Sequence, residues 1–223
     1  MSTFEALQYD PYRLGRGLGE GGEGRDYATG HGEGGPASAR VIVAYGFWIF
    51  LLSDIVLFSC FFAAFAVLRT ATAGGPSGAD LFEPWRVAVQ TAFLLASSFT
   101  CGMAAVATRA RSHLWTQAGL FVTGLLGLGF LLLEAQEFAT MILGGNGPDR
   151  SAFLSSFFAL VGLHGLHVTV GLLWLGTMIA QIYFKGFQAK ILGRLLCFNL
   201  FWHTLDIIWV AIFTVVYLIG VAP

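Results

Sequence analysis

The sequence predicts an all-α, polytopic membrane protein, a bundle of five transmembrane helices that follows a disordered N-terminal tail. Of the 223 residues, 56% are hydrophobic and only 11% are charged, whereas about a quarter are charged in a soluble domain. From residue 41 onward, apolar runs of the roughly 20 residues that span a bilayer alternate with short polar breaks. A net charge of −1 offers no cationic surface to nucleic acid. The composition therefore excludes a soluble enzyme, a wholly disordered chain and a nucleic-acid-binding domain.

Residues 1–40 differ in composition from the rest of the chain. Ten of these forty residues are glycine, charges of both signs are scattered among them, and no apolar periodicity is present. Such a composition is typical of a flexible segment. A secretory signal would carry an apolar stretch close behind its basic residues, and none occurs before residue 41. We therefore expect the tail to remain on the mature protein.

The five apolar runs should be helices, because inside hydrocarbon each backbone amide must be satisfied within its own segment. The first run ends before Arg69, and the turn at residues 74–78 separates it from the second. A second glycine- and proline-rich turn, at residues 144–148, separates the third run from the fourth. No proline interrupts a run. The predicted helices cover about residues 41–68, 87–108, 116–142, 152–184 and 195–220.

The distribution of Lys and Arg predicts how the helices are oriented in the membrane. Nine such residues fall on the side of the N-terminus: Arg13, Arg16, Arg25, Arg40, Arg109, Arg111, Lys185, Lys190 and Arg194. The opposite side carries Arg69, Arg86 and Arg150. We therefore expect the N-terminus in the cytoplasm and the C-terminus on the outer face.

Seven ionisable residues fall inside the predicted spans. A charge at the bilayer centre costs on the order of 3 kcal/mol, so such residues are candidates for function. Six of them form three pairs spaced i,i+3, which places both members of a pair on one helix face, and we expect these faces to point inward. The seven are Asp54, Glu134, Glu137, His164, His167, His203 and Asp206.

Two interpretations remain open for the most informative of these residues. Asp54 is either a carboxyl that exchanges protons or a neutral acid hydrogen-bonded to a neighbouring helix or lipid headgroup. His203 and Asp206 either form a hydrogen-bonded couple with a chemical role or only attach the fifth helix to a neighbour. A metal or haem site at His164 and His167 is disfavoured, because no acid lies between them and the first three helices hold no histidine.

Three ordered motifs carry a resemblance to a known family. Residues 46–54 read GFWIFLLSD, residues 164–171 read HGLHVTVG and residues 201–209 read FWHTLDIIW. In this order, on three different helices, they resemble subunit III of the haem-copper terminal oxidases. The five-helix form and the turns at residues 72–76 and 147–151 are most similar to the quinol-oxidising, cytochrome o-type branch.

The resemblance implies a subunit without haem, copper or quinone ligands of its own, bound to a catalytic subunit I that carries haem and copper. The complex would lie in the bacterial inner membrane, reduce oxygen to water and pump protons. The subunit would support sustained turnover and proton uptake, contact other oxidase subunits and bind phospholipids. The family's helix-1 acid, usually glutamate, falls on Asp54, and its Gln-x-x-Glu motif falls on Glu134 to Glu137. The expected lipid or partner contacts are Trp48, Trp202, Trp209 and Arg69.

Competing functions remain at this point. One is subunit III of a cytochrome c oxidase, which more often carries seven helices. Another is a proton-coupled transporter, which would show internal repeats and helices broken near mid-membrane, features that this sequence lacks. A haem-binding electron carrier is weakened by the distribution of histidines.

Overall fold

A computed structural model describes the backbone of residues 39–218 and the side chains of residues 41–78 and 81–218. The predicted tail, residues 1–40, therefore lies outside the described residues except for the backbone of its last two. The end of the last predicted helix, residues 219–220, lies outside them as well.

All regular secondary structure in the described residues is helical. Five of its helices are long and apolar enough to cross a membrane, which confirms the predicted all-α bundle of five spans. The short α2 lies between the first two of them. The helices are α1 Ala39–Leu68, α2 Gly78–Leu81, α3 Pro84–Arg109, α4 His113–Leu143, α5 Ala152–Lys185 and α6 Ala189–Ile212, continued by a π-helix over Phe213–Leu218.

Local sequence signals set several helix ends. Pro84 occupies the first turn of α3, where its missing amide proton costs no helical hydrogen bond. The Ser151 hydroxyl caps α5 by accepting a hydrogen bond from the amide of Leu154 at 3.2 Å. Gly186 follows α5 with a φ of +66°, a conformation that favours glycine. Because the helices stop at these residues, the polar connecting segments lie at the two ends of the bundle.

The last long helix begins at Ala189, not near residue 195 as hydropathy suggested. Its added turns are amphipathic, since Ile191 is buried while Lys190 and Arg194 are exposed. The helix therefore extends beyond the apolar run, because a helix with one apolar face and one polar face is stable outside the hydrocarbon.

The helices α3, α4, α5 and α6 form a four-helix bundle in which each packs on the next, and α6 also packs on α3. Helix α1 lies outside this bundle, against α5 and α6. Its fully buried side chains are Leu51, Phe58 and Phe65, which are seven residues apart. One narrow seam therefore attaches α1 to the bundle, and most of its surface faces outward.

Small residues bring α3 and α4 together. A Cβ atom added at Gly119 would lie 2.9 Å from the Ala104 side chain and 3.2 Å from its Cα atom. The hydroxyls of Thr100 and Thr123 lie 2.8 Å apart across the same interface. Helix association in lipid depends on such close packing, because there is no hydrophobic force between helices.

We expect Gly119→Ala to destabilise the folded protein by about 1–3 kcal/mol, the usual cost of overpacking, because the opposing backbone must move. The measurement is the thermal midpoint of the purified protein in detergent. Gly176→Ala is the matched control, since nothing lies within 4 Å of a Cβ atom at that position. Equal midpoints for the two variants would contradict the close α3–α4 contact.

Candidate functional site

Six of the seven ionisable residues inside the spans lie in three polar clusters that join different helices. One links α1 to α5, one links α3 to α6, and one links α3, α4 and the π-helix. The sequence identified their ionisable members by residue type, but not which helix each side chain would face.

The first cluster is the contact between Asp54 on α1 and His167 on α5. Their Oδ2 and Nε2 atoms lie 3.8 Å apart, and the two side chains are only 15% and 18% exposed. The His167 Nδ1 atom lies 2.8 Å from the carbonyl oxygen of Leu163. A carbonyl only accepts hydrogen bonds, so Nδ1 carries a proton and Nε2 faces the carboxyl. Asp54 therefore belongs to an interhelical contact between a carboxyl and an imidazole.

The second cluster joins α6 to α3 through Ser98. The Ser98 hydroxyl lies 2.6 Å from the His203 Nδ1 atom, and it also interacts with the carboxyl of Asp206. Among the described residues no hydrogen bond joins His203 directly to Asp206, and both side chains instead contact the Ser98 hydroxyl. Both side chains are half-buried. Because the Ser98 hydroxyl contacts residues of α6 from α3, the cluster favours one register between these two helices.

The third cluster contains the two glutamates of α4, both buried. Glu137 accepts hydrogen bonds from the Gln90 amide at 3.1 Å and from the Tyr217 hydroxyl at 3.4 Å. Tyr217 lies in the π-helix, a conformation found often at functional sites. The Glu134 carboxyl lies against Gly165 of α5, where a Cβ atom would collide with it. Because residue 165 is glycine, the interface has space for the Glu134 carboxyl in addition to that of Glu137.

An aromatic layer adjoins the glutamate cluster. The His164 Nε2 atom donates to the carbonyl of Leu205 at 3.2 Å, and its ring centroid lies 5.1 Å from that of Trp209. Phe130 packs edge-on against Trp209, with centroids 4.6 Å apart. The Trp209 indole N–H donates to the Thr91 hydroxyl at 3.0 Å. His164 and His167 therefore face different neighbours despite their i,i+3 spacing.

Four buried polar atoms in these clusters and in the aromatic layer have no hydrogen-bond partner within residues 41–78 and 81–218. They are Gln90 Oε1, Glu134 Oε2, His164 Nδ1 and Asp206 Oδ1. A cavity of about 60 Å³ also lies beside Glu137, with the Glu83–Arg86 ion pair, 3.8 Å long, on its wall. The polar interior thus retains hydrogen-bonding capacity that the described residues do not use.

Comparison with known proteins decides the family. The family described as cytochrome c oxidase subunit III matches residues 27–221. The chain belongs to this family. The resemblance carried by the three motifs is thereby confirmed, over a range that includes all five spans.

Several curated relatives of this subunit III chain are named as quinol oxidase subunits. Subunit 3 of the cytochrome bo(3) ubiquinol oxidase of Pseudomonas aeruginosa is 49% identical over 88% of this chain and 91% of its own length. The subunit of the same name from Pseudomonas putida is 49% identical over 79% of this chain and 85% of its own length. The quinol oxidase subunit 3 of Bacillus subtilis is 43% identical over 78% and 86% of the two chains. The similarity to the cytochrome o-type branch is thus confirmed.

The candidate metal ligands of this subunit III chain do not converge. Among the described residues, no three His, Cys, Asp or Glu side chains lie close enough together to hold a metal ion. The two histidines considered for a metal, His164 and His167, are directed to separate partners, Leu205 and Asp54.

The tryptophans expected at lipid or partner contacts occupy two kinds of position. Against that expectation, Trp202 and Trp209 are buried in the core, where Trp202 donates a hydrogen bond to Ser97 at 3.1 Å. Their indole N–H groups find hydroxyl partners on α3, which satisfies them inside the bundle. Trp48 is 47% exposed and Arg69 is exposed, and their contact with lipid or a partner remains a prediction.

Several residues that complete the clusters are uncharged and were missed in the sequence. Gln90, Ser98 and Thr91 lie on α3, and Tyr217 lies near the end of the last span. The sequence does contain a signal for Gln90, which is a strongly polar side chain within a span. Such residues are found when the spans are searched for all hydrogen-bonding side chains and not for ionisable ones alone.

Proposed function

We propose that this chain is the non-catalytic subunit III of a proton-pumping, haem-copper quinol oxidase of the bacterial inner membrane. The 49% identity with a ubiquinol oxidase subunit 3 over 88% of the chain carries this proposal. The chain binds subunit I, which holds the haem groups and copper, and contacts the other oxidase subunits. It stabilises the catalytic subunit, supports proton uptake and binds phospholipids.

The arrangement of the helices agrees with a supporting role. The spans from α3 to α6 pack as a bundle fixed by interhelical hydrogen bonds. In the described residues, the only departure from α-helix within a span is the π-helix over Phe213–Leu218. A transporter would need helices broken near mid-membrane to alternate its access. The similarity to quinol oxidase subunits, and not the family's name, favours quinol over cytochrome c as the electron donor of the complex.

The proposed function predicts that a tagged chain, purified in mild detergent from its native membranes, brings a haem-bearing partner with it. Reduced-minus-oxidised spectra should then show haem, and the preparation should consume oxygen with a quinol as donor. Recovery of a homo-oligomer without haem would contradict the proposal. Oxygen consumption with cytochrome c but not with quinol would instead assign the chain to the cytochrome c branch.

We propose that the N-terminus faces the cytoplasm. The described end of the bundle formed by the α3–α4 and α5–α6 connections carries Arg109, Arg111, Lys185, Lys190 and Arg194, as the positive-inside rule requires of a cytoplasmic surface. We call it the basic end.

The orientation predicts which loop an impermeant maleimide labels in intact spheroplasts. Asn146→Cys, in the α4–α5 connection, should be labelled from outside, whereas Ser112→Cys, in the α3–α4 connection, should be labelled only after the membrane is opened. The unsubstituted protein controls for Cys60, Cys101 and Cys197. The reverse pattern would place the basic end outside.

The Asp54–His167 pair is our candidate for the contribution to proton uptake. Its carboxyl oxygen and imidazole nitrogen lie 3.8 Å apart between two helices, and both side chains are slightly exposed at the α1 seam. A carboxyl and an imidazole in contact exchange a proton without leaving a charge unpaired, which lowers the cost of holding that proton in hydrocarbon.

Asp54→Asn is expected to leave assembly intact but to slow proton uptake or shorten the active lifetime of the complex several-fold, because asparagine cannot exchange the proton. Oxygen consumption followed over many turnovers is the measurement. His167→Gln should have the same effect, and the double variant no more, since both residues act on one proton. Ser59→Ala is the control, because Ser59 is exposed on the same helix and its hydroxyl donates a hydrogen bond to the Ile55 carbonyl of that helix. Unchanged turnover and pumping in Asp54→Asn would assign the pair to packing alone.

A further inference from the structure

The two glutamates of α4 have different hydrogen-bonding environments. Glu137 accepts hydrogen bonds from the Gln90 amide and from the Tyr217 hydroxyl. Glu134 is only 3% exposed, and its Oε2 atom has no hydrogen-bond partner among the described residues. An ionised carboxylate inside hydrocarbon needs hydrogen-bond donors or a countercharge. The donors therefore favour the negative charge on Glu137 and a proton on Glu134.

The spacing of the two acids also limits their combined charge. Side chains three residues apart on a helix are neighbours, and the carboxyl groups of Glu134 and Glu137 interact electrostatically with each other. Two adjacent carboxylates in a medium of low dielectric constant repel each other strongly. One of the two acids is therefore expected to keep a proton while the other is ionised.

The elements packed against α4 add few charges to this pair. The other ionisable side chains that interact with Glu137 are Glu83 and Arg86, which lie on or just before α3, and Tyr217 in the π-helix. On α5, Gly165 lies against the Glu134 carboxyl, and the neighbouring His164 directs its Nε2 atom to a carbonyl of α6. Arg86 is already paired with Glu83. The cations of the described residues therefore offset one carboxylate charge at this pair, and not two.

The cavity of about 60 Å³ beside Glu137 leads from this pair toward the end of the bundle opposite the basic end. The Glu83 and Arg86 side chains on its wall are 71% and 35% exposed, whereas Glu137 is 6% exposed. Glu137 lies six residues before the end of α4, a distance of about 9 Å along the helix axis. A cavity of this size with polar walls accommodates water. It therefore connects a buried carboxyl with charged groups at the surface.

We propose that Glu134 and Glu137 form a binding site for one proton, which exchanges through water in this cavity with the aqueous phase at the end opposite the basic end. In the exchange, the O–H bond of the Glu134 carboxyl breaks, the Glu137 carboxylate accepts the proton, and water carries it to the surface. The unpartnered Oε1 atom of Gln90 provides a further hydrogen-bond acceptor beside Glu137. The site shares no residue with the Asp54–His167 pair, and it goes beyond the proposed function without resting on it.

The first test records the infrared C=O stretch of protonated carboxyl groups in the whole complex, purified through a tag on this chain. Glu134→Gln should remove one such band relative to the unsubstituted complex. Glu137→Gln should keep a protonated-carboxyl band, because the proton lies on Glu134. Asp149→Asn, at an exposed position of the α4–α5 connection, is the matched control and should remove none. Size-exclusion chromatography checks the assembly of each variant, and an assembled Glu134→Gln complex that loses no band would overturn the proposal.

The second test follows exchange after transfer into D₂O, where the band shifts as deuterium replaces the proton. Thr140→Leu narrows the cavity that Thr140 lines and should slow one such shift several-fold. Thr177→Leu makes the same change at an exposed threonine of α5 whose hydroxyl also bonds to its own helix, and it should leave the rate unchanged. Equal rates in the two variants would overturn exchange through the cavity. This comparison is readable even where Glu134→Gln does not assemble. Neither test needs a haem-bearing partner, so a failure of the proposed function is distinguished from a failure of this site.

Discussion

Hydrocarbon supplies no hydrogen-bond partners, and this constraint explains most of the structure. A polar side chain in a span is therefore stabilised when it finds a partner on its own helix or on another helix. The hydroxyls of Thr108, Thr169 and Thr204 donate hydrogen bonds to the backbone carbonyls four residues earlier in the same helix. Groups too large or too polar for that solution reach across to another helix. The interhelical contacts of Glu137, His203 and Trp209 therefore tie together the same helices that packing brings close.

The constraint also relates the candidate site to the fold. The residues that orient the acids and imidazoles are those that fix helix register, so the polar interior cannot be altered without affecting packing. Gly165 illustrates this link, because it admits the Glu134 carboxyl to the interface between α4 and α5. Loss of activity after a substitution here is therefore informative only when assembly is measured alongside it. The Asp54–His167 pair is the clearest exception, since it lies at a seam and not in the bundle's centre.

The sequence predicted the helical class, the five spans and the family well, because each depends on local properties. Run length and backbone satisfaction in lipid determine the spans, and three short motifs identify the family. The sequence predicted the site less completely. The i,i+3 spacing correctly placed Glu134 and Glu137 on one buried face, but it also grouped His164 with His167, which contact α6 and α1 respectively. Spacing along one helix says nothing about which neighbour lies opposite. The roles of Ser98 and Gln90 depend on that tertiary information, as does the burial of Trp202.

The narrow seam of α1 has an evolutionary consequence. Among the described residues, the side of this helix that carries Leu51, Asp54, Phe58 and Phe65 is constrained by contacts with α5 and α6. Substitutions elsewhere on α1 leave those contacts intact, so purifying selection on its outer side would have to originate outside the described bundle. The rate of amino-acid substitution at each position around α1 would therefore distinguish two kinds of surface. Positions that touch fluid lipid should change quickly, and positions that contact a neighbouring subunit should change slowly.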